Sequence, residues 1–384
     1  KRHDAPLETH GDDYLRAMVG AEENLFFALR TACIAEDFAG AATLLIAASP
    51  YWGRSAQYGR IAQSMSLLLE ESRLQRFDAE IRAQLFRAAG RFAFGRGEWT
   101  EAIRLDLLAA RTFEEIGKPY NALMARLAAN VAGANTGTPI EERIEEHKNI
   151  LARHMELGVG PPWVAGELQS DLSAMYKTLG QTQTALDYAL SALELLRLHG
   201  RRGREAMLLT IVTRIYCELG ATGKAQECAH EAIRILGDIG EEATLGEAYR
   251  NLALAQMAAG LPESEVFTTL LAALSLHSRR QEARFTLFAV DACLEAFLKY
   301  GYVRQAARAV GHVLSLRERT NYNRPGDLFP SAAVCSATQQ AVGADYSTLV
   351  GLGRLDSLVE LQEELRRLVS GSPREEPDKE TIAS

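Results

Sequence analysis

Eight polar residues stand three, six, nine or ten positions before a series of glycines: Arg87, Arg91, Lys177, Arg214, Arg250, Asn251, Asp291 and Glu295. Arginine's planar fork binds carboxylate or phosphate through two parallel hydrogen bonds, and a lysine supplies a point charge. The Asn251 amide offers one donor group and one acceptor, the pair that an extended peptide backbone demands. Apolar Leu127, Val131, Leu254, Met257 and Leu298 alternate with them. Together they describe a surface for a peptide, a protein or a small acidic ligand. The competing expectation is internal pairing, for example Arg250 with Glu247 and Arg214 with Glu218.

Catalytic and metal motifs are scarce. The sequence holds no HExxH, GxSxG or GxGxxG, so no zincin helix, nucleophile elbow or dinucleotide loop is announced. His147 and His154 lie seven apart and could share a helix face, but no third ligand is evident. A phosphate loop is also missing: Gly223–Lys224 is followed by Ala225, and Glu218 stands where its first glycine belongs. No cofactor is expected, and this chain is expected not to be an enzyme.

The elements that must position the polar residues come from a repeat. Gly97, Gly137, Gly180, Gly220, Gly260 and Gly301 are spaced 40, 43, 40, 40 and 41 residues apart. The two central units are the clearest. Tyr176 and Tyr216 stand four residues before their glycines, and Leu172 and Val212 stand eight before. Ala185 and Ala192, then Ala225 and Ala232, follow at five and twelve residues. Large apolar side chains facing small ones suit two tightly packed antiparallel helices, and a period near 40 is that of a helical-hairpin solenoid. Around Gly137 the repeat degenerates, with Glu142 and Asn149 where alanines are expected, although its hairpin should survive.

Upstream, residues 21–79 form further hairpins, with a turn near Glu36–Asp37 and a shorter hairpin through Tyr51–Trp52 to Leu69. Residues 1–20 lead in, 80–319 hold the repeat array, and 320–369 supply two capping helices, Ser331–Val342 and Ser357–Val369. Gly158–Pro162 and Asn321–Pro330 are breaks, because proline restricts the residue before it and cannot donate to a helix. The tail 370–384 is expected to be disordered. No two-residue alternation marks a strand.

Composition narrows the class. The 384 residues carry 47% hydrophobic and 24% charged side chains and a net charge of −8, which argues against a general nucleic-acid binder. Cys33, Cys217, Cys228, Cys293 and Cys335 are odd in number and widely spaced, as in reduced cytoplasmic proteins. No apolar run approaches the length of a membrane span. The first residue is Lys1, not methionine, so a piece of a longer protein is expected. Trp52, Trp99 and Trp163 are expected in the packing.

The glycine and alanine spacings resemble the tetratricopeptide repeat (TPR) in a long-helix form, over about residues 80–315. Glu22, Asn24, Leu25, Ala28 and Leu29 resemble the opening helix of the repeat domain in STAND-type signal-transduction ATPases, the large LuxR-like regulators. The stretch 304–365, with an amphipathic helix, a proline-containing loop and a final helical pair, looks like the close of that domain. The resemblance implies an all-α, right-handed solenoid that senses an inducer or partner in its concave groove and controls an ATPase core in a parent chain. The alternatives are a free-standing scaffold or adaptor and, from another class, an enzyme with a groove site.

Overall fold

The computed structural model describes residues 11–55, 58–280, 283–320 and 330–370. The expected tail beyond 370, the loop 321–329 and the first ten residues lie outside them. The described residues contain helices and turns but no strand.

In chain order the helices are α1 (Gly11–Ile34), α2 (Phe38–Ser55), α3 (Tyr58–Leu68), α4 (Glu71–Leu74), α5 (Ala79–Gly95), α6 (Trp99–Glu115), α7 (Pro119–Gly133) and α8 (Ile140–Leu157). There follow α9 (Trp163–Thr178), α10 (Thr182–Leu198), α11 (Arg202–Glu218), α12 (Thr222–Ile239), α13 (Glu242–Ala258), α14 (Glu263–Arg280), α15 (Ala283–Lys299) and α16 (Val303–Thr320). The last are α17 (Ala332–Val342), α18 (Tyr346–Leu355) and α19 (Leu358–Ser370). The capping region thus holds three helices where the sequence pattern predicted two. The interruption of the pattern at Gly351 and Gly353 hides α18, because those glycines sit inside it.

Why the hairpins turn where they do is visible at Gly180. Its φ of 72° is one that a side chain disfavours. The Gly180 amide donates to the Lys177 carbonyl at 3.0 Å, and the Gln181 amide donates to the Tyr176 carbonyl at 3.0 Å. These two bonds are a Schellman cap that satisfies carbonyls left over at the end of α9. Gly220 repeats the arrangement, with Ala221 reaching back to Tyr216. The repeating tyrosine is therefore the residue whose carbonyl the turn closes on, and its ring packs: Tyr176 stacks on Tyr188 with ring centroids 5.4 Å apart.

Two compact units divide at Pro161–Pro162, within the stiff loop after α8. In the first, Trp52 is wholly buried and stacks on Phe26 at 5.0 Å, within a core that includes Leu45, Leu68, Leu85 and Phe92. Glu36 takes a φ of 57° at the turn expected there. The degenerate hairpin α7–α8 does form, but Glu142 and Asn149 are exposed and α8 buries Ile144, His147, Ile150, Leu151 and His154 instead. The cause is a longer turn: α8 begins three residues after Gly137, whereas α10 begins two after Gly180.

In the second unit Ala185, Ala192, Ala225 and Ala232 are fully buried against Leu172, Val212 and their neighbours, as the spacing requires. The last hairpins surround Phe267 and Phe297, and α19 adds Leu361 and Leu365 to the same core. There α16 and α18 touch backbone to backbone. A Cβ on Gly353 would lie 1.9 Å from the Arg308 carbonyl oxygen, so no larger residue fits without separating the helices.

Candidate functional site

In the second unit α9, α11, α13 and α15 lie side by side, each in contact with the next. Side chains one repeat apart join them. Lys177 Nζ donates to Glu218 Oε1 at 2.6 Å, Asn251 Nδ2 donates to the Thr210 carbonyl at 3.0 Å, and Lys299 Nζ donates to the Met257 carbonyl. The intervals are 41, 41 and 42 residues, the repeat length itself.

Between these rungs sits a cluster of charges on α11, α13 and α15. Arg250 Nε donates to Glu247 Oε2 at 3.0 Å, and a second nitrogen of its guanidinium bonds the other carboxylate oxygen. The Arg250 guanidinium also lies 5.5 Å from the centre of the Phe288 ring. Burial alone would push the Glu247 carboxyl up. The charge and hydrogen bonds of Arg250, with help from Arg214, outweigh it and hold Glu247 below its ordinary range.

Arg214 differs. It makes no hydrogen bond or ion pair within the described residues, and its tip reaches solvent. Protein packed along its stem, then the like charge of Arg250, lower its pKa against the pull of Glu247 and Glu218. It remains a cation, as arginine does in proteins. On α15, Asp291 Oδ1 is buried with no hydrogen-bond partner. Burial first, then the neighbouring Glu295 charge, raise the Asp291 pKa to about 7 despite Arg250. Glu295 stands one helical turn on, exposed at its end, and burial of its flanks raises its pKa against Arg250 and Arg214.

The structure therefore brings Lys177, Arg214, Arg250, Asp291 and Glu295 onto the helix layer that the spacing indicated. Asn251 is a correction. It is 1% exposed and donates an amide N–H to the Thr210 carbonyl, so it is a strut between α11 and α13, and its burial keeps it from bonding a peptide backbone. Of the two internal pairs weighed from sequence, Arg250–Glu247 forms and Arg214–Glu218 does not, because Lys177 takes Glu218. No sequence pattern marks Lys299; the repeat interval, here 42 residues, carries its ammonium to the Met257 carbonyl.

Arg87 and Arg91 belong to the first unit. Arg87 Nη1 donates to Asp106 Oδ1 at 2.5 Å, and Asp106 is 3% exposed. Burial raises the Asp106 pKa against the charges of Arg87 and Arg91. Arg91 Nη1 donates to the Ser49 hydroxyl at 3.1 Å. His147 and His154, the candidate metal pair, are both buried in packing: His147 Nδ1 lies 3.3 Å from Asn130 Nδ2, and His154 faces the Tyr120 ring. Trp163 receives the Arg201 guanidinium 4.2 Å above its ring, and Trp99 meets Phe94 edge-on. No described helix is long and apolar enough to cross a membrane.

No protein-family model and no curated protein matches the sequence. Solved structures match in fold. A Signal Transduction ATPase with Numerous Domains carrying a tetratricopeptide repeat sensor, from Pyrococcus horikoshii, is 12% identical with a TM-score of 0.54. The match covers 94% of this chain and 48% of that one. The apo quorum sensor NprR from B. thuringiensis is 14% identical, TM-score 0.51, over 94% of this chain and 96% of its own. A Rap protein complexed with Competence and Sporulation Factor is 14% identical, TM-score 0.53, over 86% and 96%. The fold is that of an all-α, TPR-like helical-hairpin solenoid.

Proposed function

We propose that this chain is a binding and regulatory module whose second unit captures a ligand on the layer α9–α11–α13–α15. The observation that carries it is unspent hydrogen-bonding capacity in one helix layer: among the described residues Arg214 makes no hydrogen bond or ion pair, and the buried Asp291 Oδ1 makes no hydrogen bond. Buried polar atoms in folded proteins are nearly always bonded, so an orphan facing a layer of charges marks a place for a missing partner. The groups assembled there hold and orient charge; they are not a nucleophile with its base, so the assignment is binding and not turnover. A TPR sensor forms part of the Pyrococcus ATPase, and a quorum sensor and a factor-bound Rap protein share the fold. By that likeness the module is the inducer- or partner-sensing arm of a STAND-type ATPase or transcriptional regulator in the cytoplasm. A ligand favouring one arrangement of the helices shifts the parent's switch by its difference in affinity.

The test is native mass spectrometry of protein purified from its own host. A retained small molecule or peptide is expected, and the Arg214→Ala, Arg250→Ala double variant should release it. A bound full-length protein instead establishes the adaptor alternative. Retention by the double variant at the wild-type level overturns the assignment to this face.

A further inference from the structure

We infer that the face of α11, α13 and α15 recognises a dipolar ligand, its anionic group on Arg214 and its cationic group on Asp291 and Glu295. The inference rests on the binding reading above and sharpens it, since that reading leaves open a purely acidic ligand.

The charges sort themselves by pairing. Lys177 is spent on Glu218, and Arg250 on Glu247, both within hydrogen-bonding distance. A guanidinium on α11 and two carboxyls on α15, which a ligand's cation would hold ionised, remain on the outer two of these three helices. Among the described residues Arg214 on α11 makes no hydrogen bond or ion pair, and Asp291 and Glu295 on α15 accept no hydrogen bond. The Arg250–Glu247 pair sits on the intervening helix α13, its guanidinium beside the Phe288 ring, and its hydrogen bonds are spent within the pair. Arg250 and Glu247 keep only 11% and 16% of their side-chain surface in contact with water. Charges beside such a surface are weakly screened and attract a complementary group more strongly than charges in bulk water do. A ligand with negative charge alone gains at Arg214 but is repelled at α15. A ligand with positive charge alone suffers the reverse. Only a dipolar ligand, oriented one way, gains at both ends. Such charge patterns fix orientation and reject wrong partners more than they add raw affinity.

A random heptapeptide library selected on the full chain tests this, with the free zwitterions 4-aminobutyrate and 6-aminohexanoate assayed alongside by native mass spectrometry. Wild-type protein is expected to enrich peptides that carry an acidic and a basic residue in a fixed order. Asp291→Asn with Glu295→Gln should remove the basic preference, Arg214→Gln the acidic one, each with at least a tenfold loss of affinity for the best wild-type sequence. Reversed-sequence peptides should bind at least tenfold more weakly. Retention of the free zwitterions, lost in the same variants, identifies a small molecule as the source of the dipole. Enriched sequences without paired charge, or a charge signature that the variants leave intact, overturn the dipolar inference while leaving the binding face standing. No enrichment and no zwitterion bound overturns both. Circular dichroism of each variant at the wild-type helicity confirms that a loss reports the site.

Discussion

Arg91 in the first unit and Arg214 in the second both stand six residues before a turn glycine, in helices of the same hairpin type. Arg91 donates to Ser49, and its neighbour Arg87 holds the buried Asp106. Arg214 has no such partner, because Lys177 and Arg250 have taken the carboxylates within its reach. The same position in the repeat therefore has two fates. Where an adjacent helix offers a free acceptor, the arginine becomes a strut between helices; where the acceptors are already used, it is left for something outside the chain. Repeat register fixes where a charge stands, and the neighbouring helix decides what it is for.

The comparison breaks most sharply at Asp106. Asp106→Ala leaves the largely buried Arg87 without its counter-ion and should cost about 3 kcal/mol. Urea unfolding should show the loss, and hydrogen exchange should localise it to α5 and α6. Ligand binding by the second unit should be unchanged; a stability loss below about 0.5 kcal/mol, the scale of ordinary surface changes, would show that Arg87 is no strut.

Asp291 predicts the opposite behaviour in the second unit. Its pKa is raised from the ordinary 3.8 to about 7, so between those values the folded chain holds a proton that the unfolded chain has released. Stability from the neutral carboxyl is thus present at low pH and lost as pH rises toward 7. The groups facing it are Glu295 and Cys293 on its own helix, Arg250 from α13 and Cys335 from α17. Asp291→Asn, which cannot ionise, should gain on the order of 2–3 kcal/mol over wild type between pH 5 and pH 8, two units at 1.36 kcal/mol each. Equal pH profiles for the two proteins would show that Asp291 is ionised without penalty. Asn251→Ala is a smaller matter. It removes the bond to the Thr210 carbonyl and should cost about 1–2 kcal/mol, with binding retained. Loss of binding without loss of stability would restore Asn251 to the site.

How much of this was legible follows from which physical rule each feature obeys. Gly180 and Gly220 announced the fold because a Schellman cap needs a positive φ, and the alanines at Ala185 and Ala225 because helix packing needs small residues at fixed intervals. These are local rules, readable from one chain segment. The layer on which Arg214, Arg250, Asp291 and Glu295 meet was legible too, since it inherits the same register. Partner choice was not. Whether Glu218 bonds Arg214, four residues back, or Lys177, 41 residues back, depends on side-chain reach across helices. The burial of Asn251 was hidden for the same reason: polarity suggested exposure, and only the opposite helix supplies the carbonyl to which its amide group donates. The helix α18 was obscured by its own glycines, of which Gly353 serves close contact with α16 and not a turn.

The smallest expected effect sharpens the comparison furthest. Arg214→Ala removes a cation that bonds nothing in the described residues, so stability should move by less than about 0.5 kcal/mol. The sign is informative. The like charge of Arg250 disfavours the Arg214 cation, and deleting Arg214 removes that repulsion, whereas Glu247 loses one of the cations that hold its carboxyl down. These two changes oppose, and Glu247 keeps its direct bonds to Arg250, so the net is close to zero. If Arg214 were a strut like Arg87, its removal would instead leave a buried carboxylate unpaired and cost several times more. A urea midpoint unchanged from wild type, beside a tenfold loss of ligand, is thus the signature of a residue held in reserve for binding. A midpoint lowered by more than about 1 kcal/mol would place Arg214 with Arg87 among the struts.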